Sequence, residues 1–301
     1  MNFDGILFFP LTPFDSGGGV SETVLAEHVA SGVEHGAGGV FAACGTGEVH
    51  ALSAAEHAAV VRRSVEVTAG RVPVVAGAGG SVGTAVEQTR AARELGADAV
   101  LLLPPYLVGA PQRGLVEYVR TVTSAVDIPV IVYQRGSMAF TPESAAELAG
   151  IPTVVGIKDG LGDLGRMHQI VLAVREVRGE EFTFFNGLPT AELTVAAYRG
   201  VGVPLYSSAA FAFVPEVANA FYEAFHAGDP LADRLLAQFF EPLVRLRDRV
   251  PGYAVSLVKA GARLRGVDVG GVRAPFVDPT DEEVAALGGL IETGLSLVKE
   301  G

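Results

Sequence analysis

The sequence predicts a (β/α)8 (TIM) barrel with a C-terminal helical extension, and three observations carry that prediction. Short runs rich in Val, Ile, Leu and Phe alternate with longer Ala/Glu/Arg/Leu stretches of helical period, one βα unit every roughly 20–35 residues. The apolar runs are near-continuous, as parallel strands buried under helices on both faces must be. They number eight, the count that closes a barrel. A doubly wound open sheet uses the same units and is the rival architecture.

In order, the runs are GILFFPLT (5–12), GGVFAACG (38–45), VPVVAGAG (72–79), AVLLLPP (99–105), IPVIVYQ (128–134), VVGIKDG (154–160), FTFFNG (182–187) and VPLYSS (203–208). Helical stretches such as SETVLAEHVASGVEHG and SAAEHAAVVRRSVEVTAG separate them. In the second, Ser53 and Glu56 have the spacing of a capping box, in which each side chain bonds the other's backbone N–H. After residue 208 the alternation stops, and 209–228, 230–249, 251–266 and the stretch from Pro279 onward read as helices. The expected organisation is therefore a barrel over residues 1–208 with a helical extension, 209–301, packed on it.

The chain has 301 residues, 49% hydrophobic and 19% charged, enough to fill a large core. A net charge of −12 argues against nucleic acid, whose phosphates require a basic face. The first residues lack the basic region of a secretion signal, and no apolar run reaches the ~18 residues of a membrane span. Cys44 is the single cysteine, in keeping with a reducing cytoplasm. The histidines show no metal-ligand spacing, and His50 and His57, flanking a helix start, read as solvated. The basic run RLRDR (245–249) reads as a solvated helix face. GAGGSVG (77–83) does not have the glycine spacing of a dinucleotide site.

Chemistry in such a barrel gathers where strands run out into βα loops. Those ends carry one amine, several hydroxyls, one guanidinium and a glycine-rich turn, with no His/Asp/Glu cluster for a metal. The amine is Lys158, one of only three lysines beside nineteen arginines. Apolar walls disfavour its ammonium form, and a neutral amine can attack a ketone to form a Schiff base. The alternative is a lysine that snorkels or pairs with Asp159. Tyr133, ending its strand, can relay protons. Gly45-Thr46-Gly47-Glu48 follows the second strand, where consecutive N–H groups and the Thr46 hydroxyl suit an anion. Cys44 reads as a small buried residue.

FFPLTPFD, GTGE, PPY, the tyrosine after the fifth strand and GIKDG together resemble the dihydrodipicolinate synthase/N-acetylneuraminate lyase superfamily, nearly end to end. The resemblance implies Lys158 as Schiff-base lysine, Tyr133 as proton shuttle, Gly45 and Thr46 as carboxylate cradle, and a homotetramer or homodimer. Three departures weigh against a pyruvate aldol partnership: CGTGE in place of GTTGE, YQRG in place of YN.P, and Leu107 at the second tyrosine of the PYY motif. The set CGTGE, YQRG, GIKDGLGD, FNGLPTAE, YSSAAF and GYAVSLVKAG is similar to one branch that dehydrates and decarboxylates a small-molecule 2-oxo sugar diacid, without metal or organic cofactor. In that reading the far end of the substrate needs donors, for which Arg135, Asn186, Ser207 and Ser208 are candidates. Arg135 has a second reading, a loop brace on an acid such as Glu48. An aldolase or lyase on a related 2-oxo sugar acid is the alternative activity.

Overall fold

The structure is a computed structural model and describes residues 3–105 and 109–300. Its strands are β1 (Leu7–Phe8), β2 (Gly39–Ala42), β3 (Val74–Ala78), β4 (Ala99–Leu102), β5 (Val130–Gln134), β6 (Val154–Asp159), β7 (Thr183–Asn186) and β8 (Leu205–Ser208). They are ordered β1 to β8 in a closed barrel, and the pairings from β3 through β8 are all parallel. The open-sheet rival is thereby excluded. Each strand is shorter than its apolar run. The first run shrinks most, because Pro10 has no N–H to donate to a ladder.

The chain folds as two compact units, Pro73–Ser207 and a second formed by Asn2–Val72 with Ser208–Gly301. These units are not the expected barrel over 1–208 and extension over 209–301. The helices beyond Ser208 share a unit with the first βα units. Phe14 donates its N–H to Val269 O at 3.1 Å, and Asn219 donates to His35 O at 2.8 Å. The extension comprises Pro215–Ala227, a run from Leu231 to Arg247 with one π-helical turn, Tyr253–Leu264 and Asp281–Glu300.

Local signals explain the helix starts. Ser53 caps Ala54–Thr68 in a full capping box: Ser53 N–H donates to Glu56 at 2.9 Å, and Glu56 N–H donates to the Ser53 hydroxyl. Ser81, Thr141 and Asp163 cap their helices through side-chain oxygens. In Pro73–Ser207 the helix-facing side of the strands carries Val132, Ile157 and Phe184, packed with Ile170 and Val174 of the helix Leu164–Arg178. His57, expected in solvent, is 1% exposed, because it lies on the inward face of its helix with Val60, Val61 and Ser64. Cys44 is buried, as expected. Among the described residues no helix is long and apolar enough to cross a membrane.

Candidate active site

Lys158 owes its orientation to an irregularity in β6. The β5–β6 register pairs Val130 with Val154 but Ile131 with Gly156, so one extra residue is inserted at Val155. Val154 and Ile157 both pack in the helix-facing cluster. Strict alternation would turn Lys158 to the Val154 face; the bulge sends it to the opposite one. There it pairs with Tyr133 on β5 and with Phe185 on β7.

On that face Lys158 is 5% exposed, and its Nζ lies 4.5 Å from the centre of the Tyr133 ring. Tyr133 donates its hydroxyl to Gly187 O at 3.1 Å, and Arg135 donates to the phenol oxygen at 3.2 Å. Two glycines make room. A Cβ on Gly187 would stand 2.5 Å from Lys158 Cε, and one on Gly160 would stand 2.7 Å from the Tyr133 hydroxyl.

The other face of the same strand ends is a polar collar. Register aligns Gln134, Asp159, Asn186 and Tyr206 across β5 to β8. Gln134 donates to Asp159 at 2.8 Å, the Tyr198 hydroxyl bonds the same carboxylate, and the N–H groups of Leu161 and Gly162 complete its donors. Burial first, and Asp159 second, push the Tyr198 pKa upward. Asp159 is therefore committed to the loop after β6 and not to Lys158.

Asn186 also belongs to this collar. Its amide donates to Thr194 at 2.8 Å and to Ala191 O, and it accepts from Leu188 N–H, which shapes the turn after β7. Ser208 lies on the Tyr206 side of β8 and accepts from Phe211 N–H at 3.2 Å. Neither residue is on the face that carries Lys158, so strand alternation separates both from the expected donor set. Ser207 has the parity of Leu205, whose register partner Phe185 pairs with Lys158, and it is half-buried. Of the four expected distal donors, Arg135 and Ser207 remain on the side of the lysine.

In the second unit, β2 runs into a turn that begins and ends in left-handed backbone, at Ala43 (φ 50°) and Glu48 (φ 54°). Gly45 is exposed and Thr46 half-buried. The carbonyls of Cys44 and Gly45 accept from Val49 and Glu48, and the Thr12 hydroxyl donates to Gly47 O at 2.7 Å. No acceptor takes the N–H of Gly45 or Thr46 among the described residues. Glu48 is not bound to Arg135. It is ion-paired with Lys259 at 2.7 Å and accepts Arg273 N–H at 2.9 Å. Among the described residues no group of three or more His, Cys, Asp or Glu side chains is arranged to hold a metal ion.

A model of the dihydrodipicolinate synthetase family matches residues 2–293. The chain belongs to that family. It is 56% identical over 299 residues to a Streptomyces coelicolor protein named "Probable 5-dehydro-4-deoxyglucarate dehydratase 1", with 99% of this chain and 95% of the relative covered. A Paracidovorax citrulli protein named "Probable 5-dehydro-4-deoxyglucarate dehydratase" is 46% identical over 96% of this chain and 94% of its own. Among solved structures, dihydrodipicolinate synthase from Oceanobacillus iheyensis superposes with a TM-score of 0.87 at 27% identity, covering 98% of this chain and 97% of that one.

The sequence reading gave no role to Gly160, Gly187 or Lys259, which pack against Tyr133 and Lys158 or brace Glu48. The two glycines had no sequence signal beyond their place at strand ends. For Lys259 a signal did exist: it is the second of three lysines in an arginine-rich chain, and it lies in the GYAVSLVKAG motif. The PPY motif, including Tyr106 and Leu107, extends outside the described residues.

Proposed function

We propose that this chain converts 5-dehydro-4-deoxy-D-glucarate to 2,5-dioxopentanoate, water and CO2 through a Schiff base on Lys158, a step of D-glucarate catabolism. The observation that carries the chemistry is the buried amine beside the Tyr133 phenol, with Arg135 on the phenol oxygen. The substrate comes from the names of the relatives.

The amine of Lys158 adds to the ketone at carbon 5 and, with loss of water, becomes an iminium. That electron sink acidifies the carbon 4 methylene, whose proton Tyr133 accepts. The resulting enamine expels the hydroxyl at carbon 3, leaving an iminium conjugated with the new double bond. The electrons of the bond between carbons 1 and 2 then flow through this chain to nitrogen, and carbon 1 leaves as CO2. Protonation, tautomerisation of the enol at carbon 2 and hydrolysis release the aldehyde and restore the amine. In the same proposal Gly45 and Thr46 hold the carboxylate beside the ketone, and Arg135 and Ser207 serve the hydroxylated end. Donors at the departing carboxylate must bind weakly, since a firm grip would oppose its loss. A homodimer or homotetramer, also proposed, is checked by light scattering.

The test is CO2 release from 5-dehydro-4-deoxyglucarate by purified protein, with 2,5-dioxopentanoate as co-product in equal amount. Folded protein that releases none refutes the proposal. Carbon–carbon bond formation between pyruvate and an aldehyde would instead identify an aldolase.

A further inference from the structure

Two of the chain's three lysines are buried, and the chemistry above uses only Lys158. The other, Lys259, is fully enclosed in the helix Tyr253–Leu264. Its Nζ makes an ion pair with Glu48 at 2.7 Å, both side chains being 0% exposed. It also donates to Gly271 O at 2.8 Å and lies 4.0 Å from the centre of the Phe14 ring. Glu48 closes the turn that contains Gly45 and Thr46, and it does so with φ at 54°, a region that L-residues with side chains avoid. Such a backbone persists only where its surroundings over-determine it.

A buried ion pair is a poor device for stability alone, because desolvation offsets most of the attraction and apolar replacements serve as well. Burial accordingly pulls the Lys259 pKa below its ordinary value, with Glu48 opposing. What the pair does supply is direction. One carboxylate oxygen faces the Lys259 ammonium as an ion pair at 2.7 Å, and the other accepts Arg273 N–H at 2.9 Å. Arg273 is fixed in turn by Glu56 and by the carbonyls of Ala51 and Gly18. On the far side, Thr12 holds Gly47 O, and a Cβ at Gly47 would meet Pro10 O at 3.2 Å. The turn is held at Glu48 and at Gly47, while the N–H groups of Gly45 and Thr46 stay without an acceptor among the described residues.

We propose that Lys259 is a positioning residue that, through Glu48, holds the Gly45-Thr46 turn in the shape that binds the carboxylate of a 2-oxo acid. This rests on the proposed role of that turn. Lys259 touches no substrate. Its loss weakens recognition of the carboxylate and leaves the reactive amine of Lys158 in place.

The experiment is borohydride trapping of the Lys158 adduct at a series of concentrations of pyruvate and of methyl pyruvate, which lacks the anionic carboxylate. In the unaltered protein the acid half-saturates trapping at a lower concentration than the ester. No trapping there refutes the Schiff-base reading itself, independently of Lys259. In the double variant Glu48→Gln/Lys259→Met, which removes both buried charges together, the half-saturating pyruvate concentration rises about tenfold or more. The acid-over-ester preference collapses toward one, and the maximal extent of trapping is retained. An unchanged preference, or equal loss of trapping with acid and ester, overturns the proposal. Should the double variant not fold, Glu48→Asp, which keeps both charges and shortens the reach, is read by the same two outcomes.

Discussion

At Lys158 the geometry leaves no room for one extra methyl group. Gly187→Ala puts a Cβ 2.5 Å from Lys158 Cε, inside contact distance, so the lysine side chain must move by the order of an ångström. A displacement of that size costs about a hundredfold in kcat/KM, and kinetics on the variant check it; near-normal turnover would show that the amine is not tightly placed. Tyr133→Phe separates proton transfer from amine attack. It removes the hydroxyl that binds Gly187 O and Arg135 but keeps the ring beside the amine. The expected result is a fall in kcat of about 10²–10⁴-fold with borohydride trapping preserved. Loss of trapping in a folded variant would instead make the hydroxyl part of amine activation. Both residues to which the proposal gives roles stand out in the sequence, because a scarce lysine and a tyrosine ending apolar strands are conspicuous. The glycines that make space for them do not, since the pressure they relieve exists only between strands distant in the chain.

Among elements, the collar at the ends of β5 to β8 sets the loops that flank the lysine. Asp159 accepts from Gln134, Tyr198, Leu161 and Gly162 and has no donor to offer them. Asp159→Asn turns one acceptor into a donor facing donors, and unfolding in urea should show a loss of about 1–3 kcal/mol. Unchanged stability would mean that the collar is not a structural lock. The sequence led to Asn186 and Ser208 as substrate donors because both end apolar runs with polar groups. Their parity could not be read without the register, and the register contains a bulge at Val155 that no residue pattern announces. The strands themselves were legible: all eight lie within the apolar runs, trimmed at their ends by prolines and turn residues.

On the scale of the whole molecule, the alternation of runs revealed the barrel but not the grouping of its parts. The helices after Ser208 share a compact unit with the first βα units, through contacts such as Arg273 with Glu56 that are more than two hundred residues apart in sequence. Folding also encloses His28, which is 5% exposed, packs edge-on against Phe8 and has no partner for Nε2 among the described residues. Burial pushes its pKa down from 6.5 to about 4. The unfolded chain therefore takes up this proton first. The His28 contribution is intact above pH 6.5 and is lost as the pH falls toward 4, by up to about 3 kcal/mol. Urea titrations at several pH values should show His28→Met losing less stability over that window than the unaltered protein; parallel losses would contradict the assignment. For the account as a whole, the most direct measurement is the mass of the intact protein and its peptides after borohydride reduction with a 2-oxo acid. One adduct per chain, on the peptide bearing Lys158, is the predicted result. An unmodified chain, or an adduct on Lys259 or Lys299, would contradict it.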